Sequence, residues 1–401
     1  MSQQSATKAN STVRSTQGDA ASSPGNPRGK NRTGQHEDSP DDMLLEVRGL
    51  SKTYATSGGI FARARKARVV HEVGFMLDRG QTFALVGESG SGKTTIGRML
   101  LRLVEADAGS VVFDGIDLLA LPSDELRAMR RRIQIIFQDP VGSLDPRVRI
   151  GEAIAQPIRL HRLRPAAEIG GRVAELMLLV GLDPAHASRF PHEFSGGQRQ
   201  RIAIARAIAV EPDLIVCDEP VSALDLSIQA QVVNLLADLR DRLGLAYVLI
   251  SHDMAVVRHL ATDVGVLYAG RLVEVGPAEK VFSDPRHPYT RMLLAATPSP
   301  VPGSRQRATP IEGEPPNPFD ASTGCPFASR CPHRQPDCDT QVPPLRSMVV
   351  DLGATRQVAC LHAESLAPFV ALRDSESLMS ERYRRRLALL RDARLAEPSN
   401  V

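Results

Sequence analysis

The sequence lacks any apolar run near the length of about eighteen residues that a membrane-spanning helix needs. Its longest apolar runs, such as Leu245–Ile250, have the length of a strand. It also lacks a strong charge bias: the formal net charge of +3 is too small to indicate nucleic-acid binding through bulk electrostatics. No apolar segment follows a basic start at the N-terminus, so no secretory signal is predicted. These absences favour a protein made and kept in the cytoplasm.

Lysine and cysteine are also scarce. Only six of the 49 basic residues are lysines, so each lysine carries more information than usual. Of the five cysteines, Cys217 lies in an apolar run and is interpreted as a small buried filler. The other four fall late in the chain, and in a reducing compartment this favours metal or cluster chemistry over disulfides.

The composition divides the chain into distinct segments. Residues 1–42 have hardly any large apolar side chains, which predicts a disordered extension because little surface can be buried. Ordered structure is expected from Met43, with a helical insertion at about 139–205. From Pro298 the chain is proline-rich and is expected to be loop-like, and residues 366–401 form an arginine-rich tail with a helix predicted over 378–396.

Strands and helices alternate in the middle of the chain. Short apolar runs and a hairpin pattern predict strands at Leu44–Val47, Thr82–Val86, Leu214–Cys217, Tyr247–Ile250, Asp263–Tyr268 and Arg271–Val275. Apolar residues at helical spacing follow Lys93, and a second helical pattern ends at Gly244. This order predicts an α/β fold with a largely parallel sheet.

A glycine-rich loop joins the strand Thr82–Val86 to the helix after it. Its sequence, GESGSGKT, fits a Walker A loop, whose backbone N–H groups surround phosphate oxygens. Lys93 can reach the β- and γ-phosphates of ATP, and the Thr94 hydroxyl can bind Mg²⁺. An ordinary glycine turn is disfavoured because a strand and a helix flank the loop in the required order. The candidate nucleotide-binding residues are Gly87, Glu88, Ser89, Gly90, Ser91, Gly92, Lys93, Thr94 and Thr95.

Two adjacent carboxylates follow the predicted strand Leu214–Cys217. Asp218 can hold the Mg²⁺ shell, and Glu219 can polarise a water molecule for in-line attack on the γ-phosphorus. Alone, this pair would indicate only the end of a strand. Together with the phosphate loop it predicts an ATP-hydrolysing site.

A further motif, FSGGQRQR, lies between these two sites at Phe194–Arg201. Ser195 is a good N-cap, and the glycines after it offer a second anion site at a helix start. The stretch resembles the signature of ABC ATPases, with Phe194 where leucine is commonest. Two phosphate sites far apart in sequence are explained if two subunits enclose each ATP between them. The candidate signature residues are Ser195, Gly196, Gly197 and Gln198.

The resemblance to ABC ATPases covers about residues 43–300 and implies further roles. Tyr54 matches the residue whose ring stacks on adenine, although packing alone is the commoner role of such a residue. Gln138 matches the glutamine that contacts Mg²⁺ and water and senses the transport subunit. Asp225 lies in the loop that crosses the dimer interface. His252 matches the histidine that contacts the γ-phosphate.

A narrower resemblance is to ATP-binding subunits of oligopeptide/dipeptide importers. It rests on the runs FQDP, PHEF and HPYT, the last at His287–Thr290, and on the late cysteine-rich segment. In that family the C-terminal extension is associated with a [4Fe–4S] cluster, which implies four ligands here: Cys325, Cys331, Cys338 and Cys360. A tetrahedral zinc site on the same sulfurs is the alternative, and disulfides are less favoured.

These features predict an ABC ATPase nucleotide-binding domain over 43–297, with a RecA-like core, an antiparallel β part and a helical subdomain. A cysteine-containing extension would follow over 298–365. The resemblance implies ATP and Mg²⁺, a dimer with itself or a related subunit, two membrane permeases, a solute-binding protein and no nucleic acid. The chain would then lie on the cytoplasmic face of the inner membrane. The alternatives are a non-transport clamp on nucleic acid or ribosome, and a nucleotide-gated scaffold without activity.

Overall fold

The computed structural model describes residues 42–55, 65–296, 313–314, 316–317, 319, 323–350 and 354–369. The predicted disordered extension lies outside the described residues except for Asp42. The predicted helix over 378–396 and the tail beyond residue 369 also lie outside them. Within the described part of the chain, every helix is too short or too polar to cross a membrane.

The first sheet is antiparallel and has the strand order β2-β1-β4-β5. Its strands are β1 (Met43–Ala55), β2 (Lys66–Asp78), β4 (Ala108–Phe113) and β5 (Ile116–Asp117). β1 carries buried apolar residues such as Leu45 and Val47, whose side chains pack toward the second sheet. Phe75 of β2 stacks on Phe83 of the second sheet with ring centroids 4.2 Å apart. The two sheets therefore share one apolar core.

The second sheet has eight strands in the order β11-β12-β10-β9-β3-β8-β7-β6. They are β3 (Thr82–Val86), β6 (Ile133–Ile136), β7 (Leu214–Asp218), β8 (Ala246–Ser251), β9 (Asp263–Tyr268), β10 (Arg271–Pro277), β11 (Arg346–Val350) and β12 (Ala354–Val358). Pairing is parallel from β6 through β7, β8 and β3 to β9, and antiparallel beyond it. Every residue of β3, β7 and β8 is buried, as expected for parallel strands covered on both faces.

Helices cover this sheet and fill one long connection. Those near the sheet are α1 (Lys93–Leu100), α2 (Ser123–Met129), α7 (Leu226–Leu243), α8 (Met254–Leu260), α9 (Ala278–Ser283) and α10 (Pro288–Ala296). The connection from β6 to β7 holds α3 (Pro140–Ser143), α4 (Ile150–Leu160), α5 (Ala166–Leu179) and α6 (Gly196–Ile208). The connection also includes 3-10 turns at Pro184–Ser188 and Pro191–Glu193. No strand occurs over 139–208, all of which the structure describes.

The C-terminal extension is less loop-like than the sequence predicted. β11 and β12 form a hairpin that joins the sheet edge, with Glu274 of β10 opposite Val358 of β12. Beside this pairing lies an ion pair between Arg356 and Glu274, whose side chains are 1% and 0% exposed. Glu274 also accepts hydrogen bonds from the backbone N–H groups of Arg286 and His287, at 2.9 and 3.0 Å. A buried charge has to be paired with an opposite charge or hydrogen-bonded. The partner of Arg356, Glu274, lies far from it along the chain. Local sequence pattern therefore could not reveal the hairpin.

Candidate active site

The parallel strands bring four separate segments to one edge of the sheet. The phosphate loop follows β3, the two carboxylates lie at the end of β7, His252 follows β8 and Gln138 lies two residues beyond β6. In parallel strands the carboxyl ends share one edge. Register keeps them level, because Asp218 pairs with Ile250 and Val86 pairs with Ser251.

The phosphate loop requires glycine at both of its ends. Gly87 has φ 155° and Gly92 has φ 104°. A Cβ at Gly87 would lie 2.2 Å from the carbonyl oxygen of Leu267, and one at Gly92 would lie 2.6 Å from that of Val69. Neither backbone oxygen can move freely, because each belongs to a paired strand. The loop therefore lies directly against β9 and β2 and is held in one place.

Lys93 is buried at the start of α1 and is only 5% exposed. Its ammonium donates hydrogen bonds to the carbonyl oxygens of Gly87 and Glu88, both at 2.8 Å. Burial lowers the pKa of Lys93 from its ordinary value, and the carboxylates of Glu219, Asp218 and Glu88 oppose this change. A buried cation thus lies against the phosphate loop, an arrangement that suits a polyphosphate.

Thr94 and Asp218 form a pair of oxygen ligands beside the loop. The Thr94 hydroxyl donates to a carboxylate oxygen of Asp218 at 3.0 Å. Asp218 is 3% exposed, and this burial raises its pKa. A buried carboxylate next to a hydroxyl favours a bound cation, since the cation would offset the cost of burying the charge. The donor set therefore fits Mg²⁺.

Glu219 connects two of the other predicted site residues. Its carboxylate accepts a hydrogen bond from the side-chain amide of Gln138 at 2.8 Å and lies 3.2 Å from Nδ1 of His252. Its backbone has φ 48°, and its N–H donates to the carbonyl of Ile250 at 2.9 Å. Glu219 thus leaves β7 in a left-handed conformation, with its carboxylate between two polar partners. The Glu219 side chain is 15% exposed, so water can reach it.

The signature segment opens α6 with a capping box. The Ser195 hydroxyl accepts the Gln198 N–H at 3.3 Å, and the Gln198 side chain accepts the Ser195 N–H at 3.0 Å. A Cβ at Gly197 would lie 2.2 Å from the Ile228 side chain of α7, so glycine lets these helices approach. Ser195 and Gln198 line a cavity of about 470 Å³ that does not include the phosphate loop. Within one chain, the two anion sites therefore line separate cavities.

Two more predicted residues lie at element ends. Asp225 caps α7, since its carboxylate accepts the Ile228 N–H at 3.3 Å and the Ser227 hydroxyl at 2.9 Å. The neighbouring Leu226 is 83% exposed. Tyr54 lies at the end of β1 and is 43% exposed, so its ring is not consumed by core packing.

Four cysteines of the extension converge on one small cavity. Cys325, Cys331, Cys338 and Cys360 all line a space of about 20 Å³, and all are free thiols. Burial raises the pKa of Cys360 to about 11, and the three other cysteines add to this effect. Among the described residues, the only group of three ligand atoms within 4.8 Å of one another is Asp337, Cys338 and His362. A zinc tetrahedron would hold its sulfurs roughly 3.8 Å apart, so these sulfurs are not arranged as a compact zinc site.

One set of contacts at the phosphate loop has no signal in the sequence. Glu88 is held by Arg330 of the extension and by Tyr289 of α10. Tyr289 belongs to the HPYT run, whose resemblance to oligopeptide/dipeptide importers implies no contact with the loop. Contacts between segments so far apart in sequence leave no local pattern.

The chain is similar to known proteins in both its central and its C-terminal part. Residues 70–222 match the family model described as ABC transporter, and residues 273–338 match the oligopeptide/dipeptide transporter, C-terminal region. A putative peptide import ATP-binding protein of Brucella ovis is 50% identical over 305 residues, which are 76% of this chain and 94% of the relative. The di/tripeptide transport ATP-binding protein DppF of Pseudomonas aeruginosa is 46% identical over 323 residues, which are 80% of this chain and 98% of the relative.

A solved structure supports the fold and the reaction. It is a dimeric ATP-binding cassette in a post-hydrolysis state bound to ADP and Pi, 28% identical, with a TM-score of 0.53. The match covers 59% of this chain and 99% of that chain. The predicted ABC ATPase fold, with its dependence on ATP and Mg²⁺, is confirmed. This chain belongs to the ABC transporter ATP-binding proteins of the oligopeptide/dipeptide type, and it is an ATPase.

Proposed function

We propose that this ATPase powers the import of peptides or related small solutes through partner membrane permeases. The contact of Glu219 with both Gln138 and His252, beside the Thr94–Asp218 pair, carries the ATP-hydrolysis part of this proposal. The names of the peptide and di/tripeptide relatives support the solute class. The alternative clamp on nucleic acid or ribosome has no support among these relatives.

In this proposal each side chain at the sheet edge has one role. The loop from Gly87 to Gly92 and Lys93 bind the phosphates, while Thr94 and Asp218 hold Mg²⁺. Mg²⁺, when bound, neutralises phosphate charge. Glu219 orients the attacking water and takes its proton, His252 contacts the γ-phosphate, and Gln138 links the water to the permease-facing side of the site. Tyr54 stacks on the adenine, and Thr95 and the loop side chains complete the pocket.

The second half of each ATP site is proposed to come from another subunit. The cavity lined by Ser195 and Gln198 is separate from the phosphate loop of the same chain, so one subunit alone offers two incomplete halves. Residues 195–198 would close over ATP bound to the partner, and Asp225, with the exposed Leu226, would cross the interface. The partner is either a second copy or a related subunit.

Ser195→Arg is expected to lower steady-state ATPase activity by at least about tenfold, because a bulky cation replaces a capping hydroxyl at the proposed interface. The Kd of the isolated Ser195→Arg chain for ATP should change less than about threefold, since the phosphate loop is unaltered. In wild-type protein, specific activity should rise with protein concentration. Phosphate release at several protein concentrations measures the activity, light scattering with Mg-ATP measures the oligomeric state, and equilibrium nucleotide binding measures the Kd.

Ser188→Arg is the matched control, because it adds the same side chain at another exposed serine. A strictly monomeric protein whose specific activity is independent of concentration would contradict the shared site.

The membrane partners and the solute can be tested together. Tagged full-length chain, extracted with the membrane in mild detergent, should co-purify with two membrane permeases. The complex in vesicles should take up a labelled dipeptide with Mg-ATP, given an extracytoplasmic solute-binding protein. In this proposal the chain is a peripheral subunit on the cytoplasmic face of the inner membrane. ATP-dependent uptake of a different solute, with no peptide uptake, would overturn the solute class and leave the ATPase in place.

We further propose a division into an ATPase domain over 43–297 and an extension over 298–365 that carries a [4Fe–4S] cluster. The four thiols line one cavity, and among the described residues no three of their sulfurs lie within 4.8 Å of one another. This spacing favours a cluster, in which each sulfur binds a different iron, although the cavity of about 20 Å³ would have to widen around it. Zinc on the same sulfurs would have to draw them closer together.

Each of the variants Cys325→Ser, Cys331→Ser, Cys338→Ser and Cys360→Ser is expected to lose iron and acid-labile sulfide when purified without oxygen. Wild-type protein should be brown, with about four irons per chain. Cys217→Ala is the matched control and should keep its iron, because Cys217 is buried in β7 away from the extension. Colourless wild-type protein with one zinc per chain would show that zinc occupies the site.

A further inference from the structure

Glu88, the second residue of the phosphate loop, is bound on its carboxylate by the C-terminal extension. Two guanidinium nitrogens of Arg330 donate to its two carboxylate oxygens, each at 2.9 Å. This two-point geometry fixes the orientation as well as the distance. The Glu88 N–H donates to the Tyr289 hydroxyl at 2.9 Å. The loop residue is therefore held through both its backbone and its side chain.

The ion pair lies in a shielded position. The Arg330 side chain is 4% exposed and that of Glu88 is 25% exposed. The guanidinium also donates to the Tyr268 hydroxyl at 3.2 Å, and the rings of Tyr268, Tyr289 and Phe327 lie within 5.4 Å of one another. Exposed ion pairs contribute little. A buried pair with two hydrogen bonds is screened far less, so its loss should be felt at the loop.

The backbone of Arg330 is connected to two of the extension's cysteines, Cys325 and Cys331. The 3-10 turn Ala328–Arg330 lies between Cys325 and Cys331. Backbone hydrogen bonds run from Ala328 to Cys325 at 3.0 Å and from Cys331 to Ala328 at 3.2 Å. Arg330 is therefore joined to both cysteines by one short hydrogen-bonded turn.

The loop end of the connection reaches the phosphate-binding lysine. Lys93 donates to the carbonyl oxygen of Glu88 at 2.8 Å. Glu88 thus has its amide, carbonyl and carboxylate all engaged, and its position sets the path of the loop to α1. A loop already held in its binding conformation loses less entropy on binding.

We propose that Arg330 is a positioning residue that holds the phosphate loop through Glu88 and couples nucleotide affinity to the state of the cysteine-containing extension. The proposal rests on the ATP-binding role proposed above for residues 87–93. By linkage, nucleotide binding must stabilise the extension by the same factor by which the extension strengthens nucleotide binding.

A double-mutant cycle on nucleotide affinity tests the connection. Arg330→Ala and Glu88→Ala should each raise the Kd for Mg-ATP by about tenfold, and the double variant should be no weaker than either single variant. Arg334→Ala is the matched control, because Arg334 makes a similar two-point pair with Asp339 but with a 52% exposed side chain. Its Kd should stay within about twofold of wild type. Melting temperature and metal content report whether each variant is folded.

Amide hydrogen exchange distinguishes coupling from a purely structural role of Arg330, because only coupling makes exchange in the extension depend on bound nucleotide. Mg-ADP should slow amide exchange over residues 325–331 in wild type and in Arg334→Ala, but not in Arg330→Ala. Arg330→Ala could unfold because the Glu88 carboxylate is left buried without a partner. In that case nucleotide affinity and hydrogen exchange are measured on the double variant, which lacks this carboxylate.

The coupling would be overturned by any one of three results. These are a folded Arg330→Ala protein with the wild-type Kd, Kd effects that multiply in the double variant, and protection of residues 325–331 by Mg-ADP in Arg330→Ala equal to that in wild type. A wild-type protein that binds no ATP would instead overturn the proposed function.

Discussion

Glu219→Gln is expected to lower the turnover number for ATP hydrolysis by at least about 100-fold, the usual contribution of a positioned general base. Glutamine keeps the length of the side chain but cannot accept the proton of the attacking water. The Kd for Mg-ATP should change less than about threefold, because Glu219 contacts Gln138 and His252 and makes no hydrogen bond to the phosphate loop. Phosphate release under saturating ATP and equilibrium nucleotide binding are the two measurements.

Glu279→Gln is the control for this variant, because Glu279 is exposed at the start of α9, outside the site. Turnover within about twofold of wild type is expected for it. Near-normal hydrolysis by Glu219→Gln would show that Glu219 is not the base, whatever its position.

Lys93→Ala is expected to act on binding instead, raising the Kd for Mg-ATP by about 30-fold or more. The change removes the buried cation under the loop, together with the hydrogen bonds from its ammonium to the carbonyls of Gly87 and Glu88. Hydrogen bonds to charged groups contribute about 1.5–3 kcal/mol each, and tenfold in affinity corresponds to about 1.4 kcal/mol. Binding of a fluorescent ATP analogue measures the effect.

Lys280→Ala removes another of the scarce lysines, on α9, and should leave the Kd unchanged. Because deletion of Lys93 also leaves a small cavity, Lys93→Met should be compared with it; an equal loss of affinity in both variants isolates the charge. Unchanged affinity in a folded Lys93→Ala protein would refute the assignment of this loop.

Much of the candidate site was predictable because its parts are local. The Walker A loop needs glycine where no side chain fits, and Lys93 and Thr94 lie at fixed spacing from it. The strands before Gly87 and Asp218 are unbroken apolar runs, since both of their faces are buried. The capping box at Ser195 also follows from neighbours in sequence. Such features are set by backbone geometry over a few residues.

Other contacts could not be predicted, because they join segments that only folding brings together. Arg330 and Glu88 are separated by 242 positions, and neither residue is unusual in its own surroundings. The hairpin of β11 and β12 was expected as loop, since its pairing depends on the burial of Arg356 against Glu274. The pattern of a sequence shows the periodicity of its apolar residues. It does not show which two charged residues, far apart along the chain, will form a buried ion pair.

The sequence by itself determined that this chain binds and hydrolyses ATP through an α/β core, because its motifs encode the local backbone shapes that surround phosphate. Tertiary structure alone decided which side chains meet at the sheet edge, where parallel register places Gln138 and His252 against Glu219. It also decided that the cysteine-containing extension contacts the phosphate loop. The physical reason is that burial and pairing of charge depend on three-dimensional proximity, which the order of residues along the chain does not specify.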